Sequence, residues 1–577
     1  MLIRPLAALA ALAASLLPLA APAAARQPAP DAIYYHGRVH TPARVEQAMA
    51  VRGGRIVALG SDKAVLALAG KRTARIDLRG GTVMPGLFDM HVHPLGGGFQ
   101  QLQCTFAQGS KPAQIIAVVR QCVARAKPGE WIVGGQWQAI DFGDTPPNRQ
   151  MLDAVAPDNP VFLYDISGHS AWTNSAALKA AGVGRDTPPP AEGGIIEKEP
   201  SGAPSGLLRE NATALVGDKI PPATPQVTAR ALSRGLASLL SYGVTSLTDA
   251  MVGSVLLDAY DQLYDQGRLA QRVRGCIVYG KELGKGAAFE KVLADRARYA
   301  RPRIKTDCVK LFMDGVPTES HTAAMIDPYA TGIDDVSKDP ARLRGLLLLP
   351  PEELNPLVAR LDKLGLTIKF HSVGDRASQV ALDAIARARA ANGAGGPAHD
   401  LGHLTFIRAE DIARAKALNV ALEYSPYLWF PQPINDDIIK AIGPARIERV
   451  WPVREGVAAG ALVLAGSDWE VVPNPNPWIG IETLVTRRAP AGVRAGESFG
   501  PGEAITLRQA IDIFTINAAR HMGEGARLGS LEPGKLADFI VIDRDPFEIP
   551  ITEVHAIKTQ QVYIGGRKVF DAAGKRE

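Results

Sequence analysis

The stretch that decides the fold is MPGLFDMHVHP, residues 84–94. An apolar run breaks at Pro85-Gly86, resumes as Leu87-Phe88, and ends in two histidines separated by one residue. Only 11 of the 577 residues are histidine, so the pairing asks for a reason. In an extended strand residues i and i+2 share a face, so His91 and His93 point the same way where the strand stops. Neutral imidazole is a ligand for zinc and several other divalent ions. A lone H-x-H pair is more often two ordinary hydrogen-bonded histidines than a metal pair, and the rest of the chain has to decide.

Working outward, strand-like and helix-like stretches alternate. GVTSLTDA (243–250), RVRGCIVYG (272–280), TDCVKLFMDG (306–315), LTIKFH (366–371), HDLGHLTF (399–406), NVALEYSP (419–426) and ALVLAGSDW (461–469) have strand character. Leu354, Leu357, Val358 and Leu361 recur at helical spacing before Gly365, and Ala377, Val380, Ala381, Ala384 and Ile385 do the same. Thr506-x-x-Gln509 is a capping-box pattern opening a helix near 506–520 that buries Leu507, Ala510, Ile511 and Phe514. Counting 84–94 as the first strand gives eight, the number a (β/α)8 barrel requires. Residues 97–240 are too long for one connection and carry their own strand, NPVFLYDIS (159–167). They predict an inserted subdomain over the barrel mouth. Short alternating strands with glycine turns at both ends predict one small β-sandwich built from both termini. The expected divisions are 31–82 with 525–577 for the sandwich, 83–96 with 241–524 for the barrel, and 97–240 for the insertion.

Composition is that of a soluble globular chain, 46% hydrophobic and 21% charged. The net charge of +5 is spread without a basic stripe, so nucleic acid is not an expected partner. Residues 1–25 combine Arg4, an Ala/Leu stretch broken by Pro18 and Pro22, and Ala23-Ala24-Ala25, which is a cleavable secretory signal pattern. The alternative is a membrane anchor; the prolines and small residues favour cleavage and a periplasmic or secreted product without stable membrane insertion. The four cysteines, Cys104, Cys122, Cys276 and Cys308, form no C-x-x-C pair. Export would allow Cys104 to pair with Cys122; buried free thiols are the alternative. Homo-oligomerisation is left open.

Active sites of such barrels sit at the C-terminal ends of the strands. There the first strand carries His91 and His93, the fourth Lys310, the fifth His371, the sixth His403 and the eighth Asp468. Each alone has a structural explanation. The ordered set predicts one cation site on the barrel axis. A lysine inside a strand is costly to bury charged, so Lys310 either faces the metal in modified form or pairs with an acid such as Asp314.

At this point the chain resembles the amidohydrolase superfamily, and within it the N-substituted formamide deformylase-like (YtcJ-like) branch. The matching pieces are MPGLFDMHVHP, GHSAWTNSAAL, GVTSLTDA, VKLFMDG, HSVGDRA, GSDWEVVPNPNPW, FTINAARHMG and GSLEPGKLADFIVIDRDP. The resemblance implies a divalent-metal hydrolase, with one or two ions, zinc foremost. His91, His93, His371 and His403 match its metal histidines, Asp468 its catalytic aspartate and metal neighbour, and Lys310 a lysine that is carboxylated in many relatives. Three departures bear on the substrate: Gly402 where relatives often have Glu, His321 where many have arginine, and EYSPYLWF (423–430) in place of a more usual Gln-Pro.

The implied reaction is hydrolysis of an amide or formamide C–N bond of a small molecule by water that the metal activates, with Asp468 as base and then acid. His169 in the insertion either polarises the carbonyl or holds the insertion in place. Trp137, His321, Tyr427 and Trp469 are the expected pocket residues. A single-metal deaminase or cyclic-amide hydrolase is the second reading, and a non-catalytic binding protein the third, which the intact Asp468 argues against.

Overall fold

The computed structural model of the protein describes residues 28–107, 109–143, 145–165, 170–190, 195–280, 286–317, 321–330, 343–429, 433–490, 494 and 496–574. The expected leader, 1–25, and His169 lie outside the described residues.

Eight parallel strands follow one another in chain order: β1 Leu87–Val92, β2 Val244–Val252, β3 Arg272–Tyr279, β4 Ile304–Phe312, β5 Thr367–His371, β6 His399–Gly402, β7 Val420–Tyr424 and β8 Val463–Ala465. They are the eight strands expected from the sequence. Because helices or side chains cover both faces, the strands are buried almost throughout; β2 buries every residue except Met251. The sheet returns on itself just beyond β8, where Asp468 donates its backbone N–H to His91 O and His93 donates to Trp469 O, each at 2.7 Å. Gly466 stands at the tightest point of this seam. A Cβ there would lie 2.3 Å from the Cβ of His91, so only glycine lets the two backbones approach.

The helices form where apolar residues recur on one face. Pro351–Lys363 buries Leu354, Leu357, Val358 and Leu361, and the chain leaves it through Gly365 at φ 72°. At Thr506 the capping box is present: Thr506 Oγ1 accepts from the Gln509 backbone, and Gln509 Oε1 accepts from the Thr506 backbone. The helix it opens, Leu507–Asp512, does not run on regularly; Ile513–Asn517 widens into a π-turn before Ala518–His521. On this turn the Asn517 side chain donates to Val463 O, tying it to the start of β8.

Both termini contribute to a six-stranded sheet in the order Arg567–Asp571, Thr559–Ile564, Phe539–Ile542, Thr82–Pro85, Arg38–His40, Val45–Glu46. A four-stranded sheet, Arg55–Gly60, Ala48–Arg52, Ala32–Tyr35, Ala74–Asp77, packs on it through Tyr34, Val39, Met49, Phe539 and Tyr563. Thr82–Pro85 runs directly into β1, so the sandwich is continuous with the barrel. After β1 the insertion has a six-stranded sheet and a separate core that includes Ile115, Phe142 and Trp172. Pro225–Ser241, which closes the stretch 97–240, lies instead on the barrel: Leu232, Leu236, Leu239 and Leu240 of its apolar face join the barrel's core.

Two disulfides are present. Cys104–Cys122 lies in the insertion, and Cys276–Cys308 joins β3 to β4, whose register sets those residues side by side. Among the described residues no helix is long and apolar enough to cross a membrane.

Candidate metal centre

The strand ends converge as the alternation demands. The rings of His91 and His93 are 5.6 Å apart, those of His91 and His403 4.1 Å, and those of His403 and His371 4.7 Å. Asp468 Oδ1 lies 3.2 Å from His93 Nε2 and 3.8 Å from His91 Nε2, and Oδ2 lies 3.8 Å from His403 Nδ1. Lys310 Nζ reaches His91 Nε2 at 3.1 Å. One ligand atom from each of His91, His403 and Asp468 falls within 4.8 Å of the others. All six strand-end residues therefore belong to one cluster. His403 (φ 62°) and Asp468 (φ 57°) hold left-handed backbone, a conformation uncommon for residues other than glycine and met at functional sites.

Burial sets the protonation states. It pushes His91 and His403 well below the usual imidazole range, with neighbouring cations adding to the effect. It takes His371 down to about 4. These rings are neutral at pH 7, which is the form that ligates a metal. Burial also lowers His93, but the hydrogen bond and charge of Asp468 outweigh it, and the net shift is upward. Lys310 falls to about 7 through burial, with the Lys369 charge contributing. Asp314 is not its partner: that carboxylate accepts the backbone N–H groups of Ala324, Val373 and Gly374 at 2.7–3.0 Å.

Beneath the cluster is a buried polar layer. Lys369 Nζ donates to Asp400 Oδ1 at 2.5 Å and to Glu423 Oε2 at 3.1 Å. Asp400 Oδ2 lies 2.9 Å from His521 Nε2. Glu423 Oε2 is also 2.7 Å from His91 Nδ1, while Glu423 Oε1 is buried without a hydrogen-bond partner. The signal for this layer in the sequence is a charge inside an apolar strand, as in LTIKFH and VALEY. Neutral imidazoles with a carboxylate, an amine near neutrality and a spare buried carboxylate oxygen make a donor set that fits a divalent ion.

A cavity of about 740 Å³ opens beside His93, lined by Leu95, Phe99, Asp249, Met251 and Glu470 among others. Burial raises Asp249 to about 6 and lifts Glu470 as well. None of the four expected pocket residues lines this cavity. Trp137 packs in the insertion's core and donates its indole N–H to Leu163 O. His321 is buried edge-on to Tyr329, ring centroids 5.3 Å apart. Tyr427 is buried, with its hydroxyl 3.4 Å from Pro475 O. Trp469 lies over Gly97. Glu470 and Asp249 were not singled out from the sequence, where nothing sets an acid beyond GSDW or in GVTSLTDA apart from any other turn or strand residue.

A nearly closed parallel barrel with histidines, a lysine and an aspartate gathered at the C-terminal ends of its strands defines a metal-dependent hydrolase. Residues 74–570 match the amidohydrolase family, and the chain belongs to that family, a hydrolase of carbon–nitrogen bonds. It is 30% identical over 533 residues to Protein LONG AFTER FAR-RED 3 of Arabidopsis thaliana, covering 90% of this chain and 88% of that one. It is 28% identical over 546 residues to an N-substituted formamide deformylase of Arthrobacter pascens, covering 92% and 95%. Among solved structures, an uncharacterized metal-dependent hydrolase from Pyrococcus furiosus shares the fold, with a TM-score of 0.71 at 24% identity over 90% of this chain and 100% of that one. The branch suggested by the motifs is thus the one in which relatives are found.

Proposed function

We propose that the protein is an exported hydrolase that cleaves a small N-formyl or N-acyl amine into acid and amine, using zinc held by His91, His93, His371, His403 and Asp468. The observation that carries this reading is the convergence of those side chains, with Lys310, at one end of the barrel. The printed activity of the Arthrobacter relative supports the substrate class.

A bound divalent ion supplies a Lewis acid for the carbonyl oxygen and acidifies water. The chain's own groups do the rest. Asp468, oriented by His93 at 3.2 Å, takes the proton of the attacking water and passes it to the leaving nitrogen. The C–N bond breaks as the new C–O bond is retained. Lys310, with its amine brought to about 7, has a substantial free-base fraction at neutral pH, the form that adds carbon dioxide. Its carboxylated form is our assignment for a site holding two ions. Export is supported by the leader pattern and by two disulfides, which persist in oxidising compartments.

The test is metal analysis of the purified protein with a panel of formamides, N-acyl amino acids and cyclic amides. Two ions per chain and turnover of an open-chain amide support the proposal. One ion per chain and deamination of a ring favour the single-metal alternative. A metal-loaded protein that turns over none of the panel overturns the substrate assignment. N-terminal sequencing of the mature product tests the export.

A further inference from the structure

We propose that Glu423 is a positioning residue for the metal centre: it fixes the tautomer and ring plane of His91, and Lys369 and Gly402 hold it in place. The proposal rests on the metal reading above and adds to it a residue to which the sequence assigned no role at the metal.

Three observations carry it. Glu423 Oε2 faces His91 Nδ1 at 2.7 Å, with both side chains fully buried. The same oxygen receives Lys369 Nζ at 3.1 Å. An ammonium can only donate, so Oε2 acts as an acceptor at that position. On this assignment the hydrogen on His91 sits on Nδ1 and is donated to Oε2, and the bare Nε2 faces Lys310 Nζ at 3.1 Å and Asp468 Oδ1 at 3.8 Å. That is the arrangement a ligating imidazole needs, since the partner of the remote nitrogen decides which nitrogen is free and how the ring is aimed. Lys369 is itself pinned by Asp400, which also meets His521, so Glu423 has little freedom to swing away.

Gly402 supplies the room. A Cβ at that position would lie 2.7 Å from Glu423 Oε2 and 3.4 Å from His91 Nδ1. Any side chain on residue 402 would push the carboxylate off the imidazole, even with Glu423 intact. The absence of a side chain before His403 and the acid inside β7 are thus two halves of one device.

The test uses the full chain and reads more than turnover. In metal-free protein labelled with ¹⁵N-histidine, long-range ¹⁵N–¹H correlation should show His91 protonated on Nδ1; a signal for the Nε2–H tautomer overturns the proposal. Zinc affinity by chelator competition should fall about 10–100-fold in E423Q, the range for loss of a residue that orients a ligand. G402A should weaken zinc in the same direction, and the visible spectrum of the cobalt-substituted variants should shift. Folded variants with wild-type affinity and spectrum overturn the proposal. If E423Q does not fold, the wild-type tautomer and G402A decide. Wild-type protein that takes up no zinc refutes the metal reading itself, and the tautomer measurement still judges the Glu423 contact.

Discussion

Asp468 concentrates several constraints in one residue. Its backbone closes the barrel on His91, its φ is 57°, and its carboxylate lies within 4 Å of three histidines. D468N keeps the shape and removes the proton acceptor. The expected result is a loss of about 10²–10⁴-fold in kcat of the metal-loaded enzyme, the usual worth of a general base, with the melting temperature of the metal-free protein little changed. Turnover equal to wild type would remove Asp468 from the mechanism. His371 allows a test by pH. Its pKa is about 4 in the folded chain against an ordinary 6.5, because burial and then the Lys310 charge disfavour the cation. Between those values the unfolded chain binds more protons, so stability from this group is lost as pH falls from 6.5 towards 4. Measured by melting of the metal-free proteins, the wild type should lose ground to H371N across that window, by up to about 3 kcal/mol. Parallel pH curves would contradict the assignment. The strand-end cluster was legible because alternation and strand order specify position directly. Glu423 and Lys369 were not, because a charge within a strand does not announce which distant charge it meets.

Among the elements, the parallel strands were the most legible, since β1 to β8 are short apolar runs separated by helical periodicity. The π-turn at Ile513–Asn517 was not, because a one-residue widening leaves the apolar spacing nearly intact. Nor was the allocation of Pro225–Ser241, whose apolar face fits the barrel or the insertion equally well until its neighbours are known. The Cys276–Cys308 bridge depends on the register of β3 against β4, which spacing alone does not reveal. It closes a loop with a sequence separation of 32. C276S/C308S should lower stability by about 2–4 kcal/mol in denaturant unfolding, mainly by freeing the unfolded chain. A midpoint unchanged from wild type would show that the bridge contributes nothing.

At the scale of the whole molecule, the sandwich, the barrel and the cluster are mechanically continuous. Phe539–Ile542 pairs with Thr82–Pro85, and that strand passes straight into β1 and His91. Metal uptake should therefore stabilise the entire chain. At free zinc a thousandfold above the dissociation constant, calorimetry should show about 4 kcal/mol of added stability, which chelation removes. A transition indifferent to chelator would mean that the ion is absent or does not distinguish the folded state.

The barrel seam has a further consequence. Ser467 donates its N–H to Asp89 across 378 positions of chain, and the two flank the first and last contributors to the cation cage. During synthesis the early half of the cage waits, incomplete, until almost the whole polypeptide has emerged. An ion that needs the whole cage is then taken up only after the last strand is in place.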